Sequence, residues 1–295
     1  MRLYRMALWV MVPTAVALTA AAAGGTNGGT ADGTMPESPP SAQRTQTATE
    51  PVVDSARPFP VLGATPVTFP RAAQRPTIVS RAQWRADETK RDAHAHYAGG
   101  VTAIFIHHTD TPNDYDCADV PLTLRNLYTG QTRDRDWGDL GYNFLVDRCG
   151  NVYEGRAGGV DRPVVGSHTQ GFNQGTAGIA AIGTFGRGTQ VPEPMEHAIA
   201  ALAAWKLGLR GVDPRSKVRL TSTNDKSRYP KGTSAEFDVI SGHRDGNETD
   251  CPGDALFARL PAIRDMAAEL QGRSAGAPSS VGIPVTLQSL HQGSD

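Results

Sequence analysis

The sequence predicts an α/β domain in which a central mixed β-sheet is flanked by helices. Short apolar runs rich in β-branched residues alternate along the chain with longer amphipathic segments. Strands that alternate with helices build a sheet with helices packed on its faces. The chain has 295 residues, and about 200 of them carry this pattern, which fits one large domain with tails.

The first half of this pattern contains three strand regions and one helix. The apolar run at 101–106 predicts a buried strand, and a helix is expected at about 118–127. Two shorter runs at 142–146 and 152–153 flank a Cys-Gly-Asn turn, which predicts a β-hairpin. The run at 178–185 predicts another buried strand.

The second half predicts two helices around a short strand. Apolar residues spaced at helical intervals over 195–209 predict a helix that Gly211 ends. A short strand is expected at 238–240. A final amphipathic helix covers 256–270, where Pro261 is expected to kink or split it.

The N-terminus has the features of a secretory signal. Arg2 and Arg5 precede an apolar run at 6–23 that ends in Ala21-Ala22-Ala23, small residues of the kind a signal peptidase accepts. A membrane anchor is the alternative, but the apolar run is short for a bilayer span and small residues follow it at once. We therefore predict a cleaved signal peptide at 1–23 and a secreted, extracellular protein.

Two further segments lack the apolar residues that a core requires. Residues 24–75 are rich in Gly, Thr, Pro and Ser, and residues 272–295 are similar. Such segments cannot bury enough surface to offset the entropy of ordering, so we predict a flexible spacer and a disordered tail. The folded domain is expected at 76–271.

The charges of the chain nearly balance, with 29 Lys and Arg against 30 Asp and Glu. A nucleic-acid partner requires an excess of cationic side chains to neutralise phosphates, and this chain has none. We therefore expect no nucleic-acid partner. The protein is expected to be a monomer.

The chain has three cysteines, and export places them in an oxidising environment where thiols tend to pair. Because three is an odd number, at least one cysteine has another role. Cys117 and Cys149 flank one helix-strand unit, and we predict that they form a disulfide. Cys251 lies apart from them, close in sequence to a histidine.

Two histidines and this cysteine predict a metal site. His107 directly follows the strand at 101–106, and Cys251 stands eight residues after His243. Imidazole and thiolate are good Zn²⁺ ligands, and three protein ligands with an open fourth position describe a catalytic zinc site. A purely structural zinc site would need a fourth ligand, which His108 or His168 would have to supply. Ligands dispersed like this are weaker evidence than CxxC pairs, since a lone histidine or cysteine is commonly an ordinary polar or core residue.

The sequence resembles the peptidoglycan recognition proteins, which belong with the phage-lysozyme-like N-acetylmuramoyl-L-alanine amidases. The resemblance covers about residues 77–270 and leaves out both tails. Its six segments occur in order: Ser80-Arg81-Ala82-Gln83-Trp84, Ile106-His107-His108-Thr109, Trp137-Gly138-Asp139-Leu140-Gly141-Tyr142-Asn143-Phe144, Tyr153-Glu154-Gly155-Arg156, Gly166-Ser167-His168-Thr169, and Gly242-His243-Arg244-Asp245 through Thr249-Asp250-Cys251-Pro252-Gly253.

The resemblance implies a zinc enzyme of the cell wall. His107, His243 and Cys251 match the zinc ligands of the family, Tyr142 matches its active-site tyrosine, and Thr249 matches a polar position beside the zinc. The implied activity is hydrolysis of the amide bond between N-acetylmuramic acid and L-alanine in peptidoglycan, with peptidoglycan or muropeptides as partners. The alternative is a non-catalytic peptidoglycan-binding module. The retained Cys251 favours the enzyme, because relatives that only bind commonly lack this ligand.

The catalytic roles follow from the chemistry of these groups. Tyr142 and Thr249 could donate hydrogen bonds to an oxyanion as a tetrahedral intermediate forms. The Thr249 hydroxyl is too weakly basic to act as a general base. The proton acceptor stays open between His168 and Tyr142.

The resemblance also implies residues of a substrate groove. Arg156 stands where some relatives bind the carboxylate of a diaminopimelate side chain, and a guanidinium suits a carboxylate; a surface arginine that ends a hairpin is the alternative. His168 and Asn173 match positions that line the peptide groove. Where relatives usually carry a histidine, this chain has Gln131, which we expect to alter the groove wall or a contact behind the ligands. Trp84 is expected in the core rather than stacked on a sugar.

Overall fold

The computed structural model describes residues 73–135 and 137–274. The signal peptide predicted at 1–23 lies outside these residues, as do nearly all of the spacer at 24–75 and of the tail at 272–295. Within the described residues, no helix is both long and apolar enough to cross a membrane.

A six-stranded mixed sheet forms the centre of the fold, as the sequence predicts. Its strands, in chain order, are β1 Ile78–Val79, β2 Ala103–His108, β3 Phe144–Val146, β4 Val152–Glu154, β5 Thr176–Ala181 and β8 Ile240–Gly242. They lie side by side in the order β1-β4-β3-β5-β2-β8. The β3–β4 hairpin is antiparallel, and all the other pairs are parallel.

Helices cover both faces of this sheet. In the part of the chain that the structure describes, the α-helices are α1 Val120–Thr129, α2 Glu193–Gly208, α3 His243–Gly246 and α4 Asp254–Leu270. Side chains alternate between the faces of a strand, so Phe144 and Val146 of β3 pack in the cluster that contains α2 and α4. Leu145 between them packs in the cluster that contains α1.

Several element boundaries differ from the sequence-based expectation. The strand expected at 178–185 is β5, which begins two residues earlier and ends at Ala181, before Gly183 turns the chain with a φ of +133°. The helix expected to kink or split at Pro261 is continuous. The same helix buries Leu256 and Ile263, on either side of the proline, in the core.

The strand expected at 238–240 is divided between two elements. The residue Asp238 ends β7 Ser234–Asp238, which pairs with β6 Lys217–Thr221 in a separate antiparallel ribbon. The chain then enters β8 at the edge of the central sheet. This ribbon was not predicted from the sequence.

Candidate metal centre

The position of His107 follows from the alternation of side chains along β2. Ile104 and Ile106 pack in the core beneath α2 and α4, so His107 faces the other side of the sheet. It lies opposite Ala180 of β5, whose side chain packs in the α1 cluster. His107 is fully buried. It lies on the strand itself rather than in the loop after it.

The structure brings His107, His243 and Cys251 together. One candidate ligand atom from each residue lies within 4.8 Å of the others. The Nδ1 atom of His107 is 3.8 Å from the Cys251 sulfur, and the His107 and His243 rings are 4.5 Å apart between centroids. Tetrahedral zinc with ordinary bond lengths separates a nitrogen from a sulfur ligand by about 3.5 Å. The donor types and their spacing therefore fit one zinc ion.

The turn that follows β8 places the second and third members of this group. His243 begins α3, whose first turn is capped where the Gly242 N–H donates to Asp245 at 2.8 Å. The Arg244 N–H donates to the Cys251 carbonyl at 2.9 Å, which closes the loop between them. The His108 N–H donates to the Cys251 sulfur at 3.3 Å. The loop is thus tied to β2 at the candidate ligand.

Burial sets the protonation of these groups in the metal-free protein. Burial and the neighbouring imidazoles hold the pKa of His107 well below its ordinary value, and burial lowers the pKa of His243 to about 4. Both imidazoles are therefore neutral, the form that binds metal. Burial raises the pKa of the Cys251 thiol to about 12, so metal binding must displace its proton.

Each of the two hydroxyl residues of the predicted site lies near a different candidate ligand. The Tyr142 ring is 5.2 Å from the His107 ring between centroids, and burial raises the pKa of its hydroxyl above the ordinary 10.0. The Thr249 hydroxyl accepts a hydrogen bond from the Cys251 N–H at 3.2 Å. Thr249 and Cys251 also line a cleft of about 550 Å³ together with His108 and Asp110.

Of the predicted groove residues, only His168 reaches the candidate centre. Its Nδ1 atom is 3.2 Å from His107 Nε2. The Arg156 guanidinium donates to the carbonyls of Leu140 and Trp137 at 2.9 and 3.2 Å, contacts that hold the loop before Tyr142. A substrate role for Arg156 stays a prediction.

The Asn173 side chain also contacts the backbone. Its Oδ1 atom accepts from the N–H groups of His168 and Thr169 at 2.9 and 2.8 Å. These bonds fix the turn that carries His168 toward the candidate centre. A substrate role for Asn173 likewise stays a prediction.

The sequence profile of the N-acetylmuramoyl-L-alanine amidase family matches residues 97–254, which is more than half of the chain. This protein belongs to that family. Peptidoglycan-recognition protein LB of Drosophila melanogaster is 28% identical over 184 residues, 62% of this chain and 67% of that protein. The N-acetylmuramoyl-L-alanine amidase of Homo sapiens is 31% identical over 175 residues, which are 58% of this chain and 26% of that protein. Among solved structures, Drosophila PGRP-LB aligns with a TM-score of 0.49 and 26% identity, over 63% of this chain and 93% of that one.

The predicted disulfide is present in this amidase-family chain. Cys117 and Cys149 are bonded, which joins the short 3-10 turn before α1 to the turn of the β3–β4 hairpin. Cys251 is the free and buried cysteine. The bonded pair leaves one cysteine free, as the odd number of cysteines requires.

Two further residues, Gln131 and Thr169, make contacts near the candidate centre that the sequence did not predict. The Gln131 side chain is buried and accepts from the Gly141 N–H at 2.8 Å, so it holds the backbone just before Tyr142. The Thr169 hydroxyl lies beside the contact between His107 Nε2 and His168 Nδ1, at 3.4 and 2.9 Å from these atoms. The only sequence signal for Thr169 is its place beside His168 in the motif.

Proposed function

We propose that this protein is a secreted zinc-dependent amidase that hydrolyses the lactyl amide bond between N-acetylmuramic acid and L-alanine in bacterial peptidoglycan. The observation that carries the proposal is the convergence of His107, His243 and Cys251 in a chain that belongs to an amidase family. Two imidazole nitrogens and one thiolate sulfur that leave a fourth position open are characteristic of catalytic rather than structural zinc.

The three ligand residues would hold zinc at the end of β2, beside the cleft that contains Thr249. Bound there, zinc supplies a Lewis acid that polarises the scissile carbonyl and lowers the pKa of a water. A structural zinc site is less well supported. The Nδ1 atom of His168 contacts His107 Nε2, the ring nitrogen away from Cys251, and His108 contributes no atom to the group of converging ligand atoms.

The hydroxyl groups near the ligands suit stabilisation of an oxyanion. The raised pKa of Tyr142 keeps its hydroxyl protonated at neutral pH, so it can donate a hydrogen bond to the developing negative charge. No hydrogen bond among the described residues uses this hydroxyl, which leaves it available for the substrate. Loss of one such donor typically lowers turnover by about 10²–10³-fold.

The compartment and the substrate rest on separate observations. The Cys117–Cys149 disulfide is typical of an oxidising compartment outside the cytosol, which agrees with the predicted signal peptide. Several relatives are named peptidoglycan-recognition proteins. The disulfide and the names of the relatives are both consistent with a peptidoglycan substrate outside the cytoplasm and with association to the cell wall.

Two variants test the zinc mechanism. Cys251→Ser removes a ligand, so we expect it to lose both bound zinc and release of stem peptides from purified peptidoglycan. Tyr142→Phe keeps the three ligands, so we expect full zinc content and turnover lowered by about 10²–10³-fold.

Turnover by Cys251→Ser equal to that of the wild type would refute the zinc mechanism. A wild-type protein that binds zinc and sediments with peptidoglycan, yet releases no peptide, would identify the non-catalytic binding module instead.

A further inference from the structure

A fully buried threonine hydroxyl lies against the candidate zinc ligand His107. The Oγ1 atom of Thr169 is 3.4 Å from His107 Nε2 and 2.9 Å from His168 Nδ1. The two imidazole nitrogens are themselves 3.2 Å apart. Thr169 has no exposed surface, so these three polar atoms must satisfy one another.

The orientation of His107 decides where its proton lies. Its Nδ1 atom is on the side of Cys251, so a metal held there requires a bare Nδ1 and a proton on Nε2. That Nε2–H has two acceptors within reach, His168 Nδ1 and Thr169 Oγ1. A hydroxyl both accepts and donates, so Thr169 can accept from His107 and donate to His168 at the same time.

The backbone holds this hydroxyl in place. The Thr169 N–H donates to Asn173 Oδ1 at 2.8 Å, and its carbonyl accepts from the Phe172 N–H at 2.9 Å. A β-branched side chain has few χ1 rotamers, and burial removes the competing partner, water. These contacts hold the Thr169 side chain beside the two imidazoles.

We propose that Thr169 is a positioning residue for zinc: it fixes the tautomer and the ring orientation of His107 so that Nδ1 stays bare toward Cys251. The inference rests on the proposed zinc site and assigns a further residue to it. Loss of a hydrogen-bond partner behind a metal-binding histidine typically weakens metal affinity by about 10–100-fold.

The test measures zinc affinity without substrate, by competition with a chelating indicator. Thr169→Val removes the hydroxyl and keeps the shape, so we expect affinity lower by about 10–100-fold. Thr169→Ser keeps the hydroxyl and should bind zinc nearly as well as the wild type. The matched control is Thr176→Val, because Thr176 is also buried but its hydroxyl donates to the Phe172 carbonyl.

Equal zinc affinity of Thr169→Val and the wild type would overturn the inference, as would an equal loss in Thr176→Val. If the valine variant fails to fold without metal, Thr169→Ala against Thr169→Ser makes the same comparison, since the two differ only by the hydroxyl, and equal affinities again overturn it. The amidase proposal fails separately: a wild type that binds zinc but releases no peptide refutes only the amidase.

Discussion

Gly178 of β5 provides the space that the His168 ring occupies, and the variant Gly178→Ala would fill it. A Cβ atom built on Gly178 lies 2.5 Å from Cγ and 2.7 Å from Cδ2 of His168. Non-bonded carbon atoms prefer separations of about 3.5–4.0 Å. Either the ring or the strand must therefore move by about 1 Å.

Neither side of this contact can move easily. The β5 strand is paired on both edges, with β2 and β3, and the Gly178 N–H donates to Asn143 Oδ1 at 2.8 Å. The ring also packs against the backbone at Gly166, where an added Cβ would lie 2.4 Å from His168 Cδ2. The ring therefore has no free space on that side. We expect an overpacking cost of about 1–3 kcal/mol and weaker zinc binding, because His168 would leave His107.

Urea unfolding of the zinc-free protein measures the stability change, and the indicator competition measures the zinc affinity. The control is Gly99→Ala, because a Cβ on Gly99 meets no atom within 4 Å; its stability should stay within about 0.5 kcal/mol of the wild type. If Gly178→Ala matched this control in both measurements, the role of the His168–His107 contact in stability and zinc binding would be refuted.

Replacing Cys117 and Cys149 with alanine removes a cross-link between positions 32 residues apart and should lower the free energy of unfolding by about 3–4 kcal/mol on the chain-entropy relation. Urea unfolding measures this loss, and equal stability of the variant and the oxidised wild type would contradict it. Burial lowers the pKa of Lys206 from 10.5 to about 8, so between those pH values the folded state binds fewer protons than the unfolded chain. Compared with Lys206→Met, the free energy of unfolding of the wild type should rise with pH across this window by at most about 1.4 kcal/mol per unit. Parallel pH profiles of the two proteins would refute the lowered pKa of Lys206.

The parts of the fold that were predicted correctly are those with strong local patterns. The buried run at 101–106 overlaps β2, which begins and ends two residues later, because β-branched and aromatic residues favour a strand covered on both faces. The ribbon of β6 and β7 was missed although Lys217–Thr221 alternates polar and apolar residues, the pattern of a half-buried strand. Its pairing also joins segments that a loop separates.

The candidate site divides in the same way. His107, His243 and Cys251 were identified because the resemblance supplied their motifs, although spacing alone left them as dispersed residues. Thr169 and Gln131 were not assigned their contacts, because those contacts depend on chain segments brought together only by folding. The Thr169 hydroxyl meets a histidine 62 residues earlier in the chain, which no local pattern encodes.

The bond that is cut distinguishes an amidase from other enzymes of the cell wall, so the most direct measurement is mass spectrometry of the products released from purified peptidoglycan by zinc-loaded wild-type protein. We predict free stem peptides that begin at L-alanine, together with glycan strands whose muramic acid has lost its peptide. Zinc-bearing protein that leaves every stem peptide attached, or that releases fragments cut at a glycosidic bond or within the peptide, would contradict the proposal.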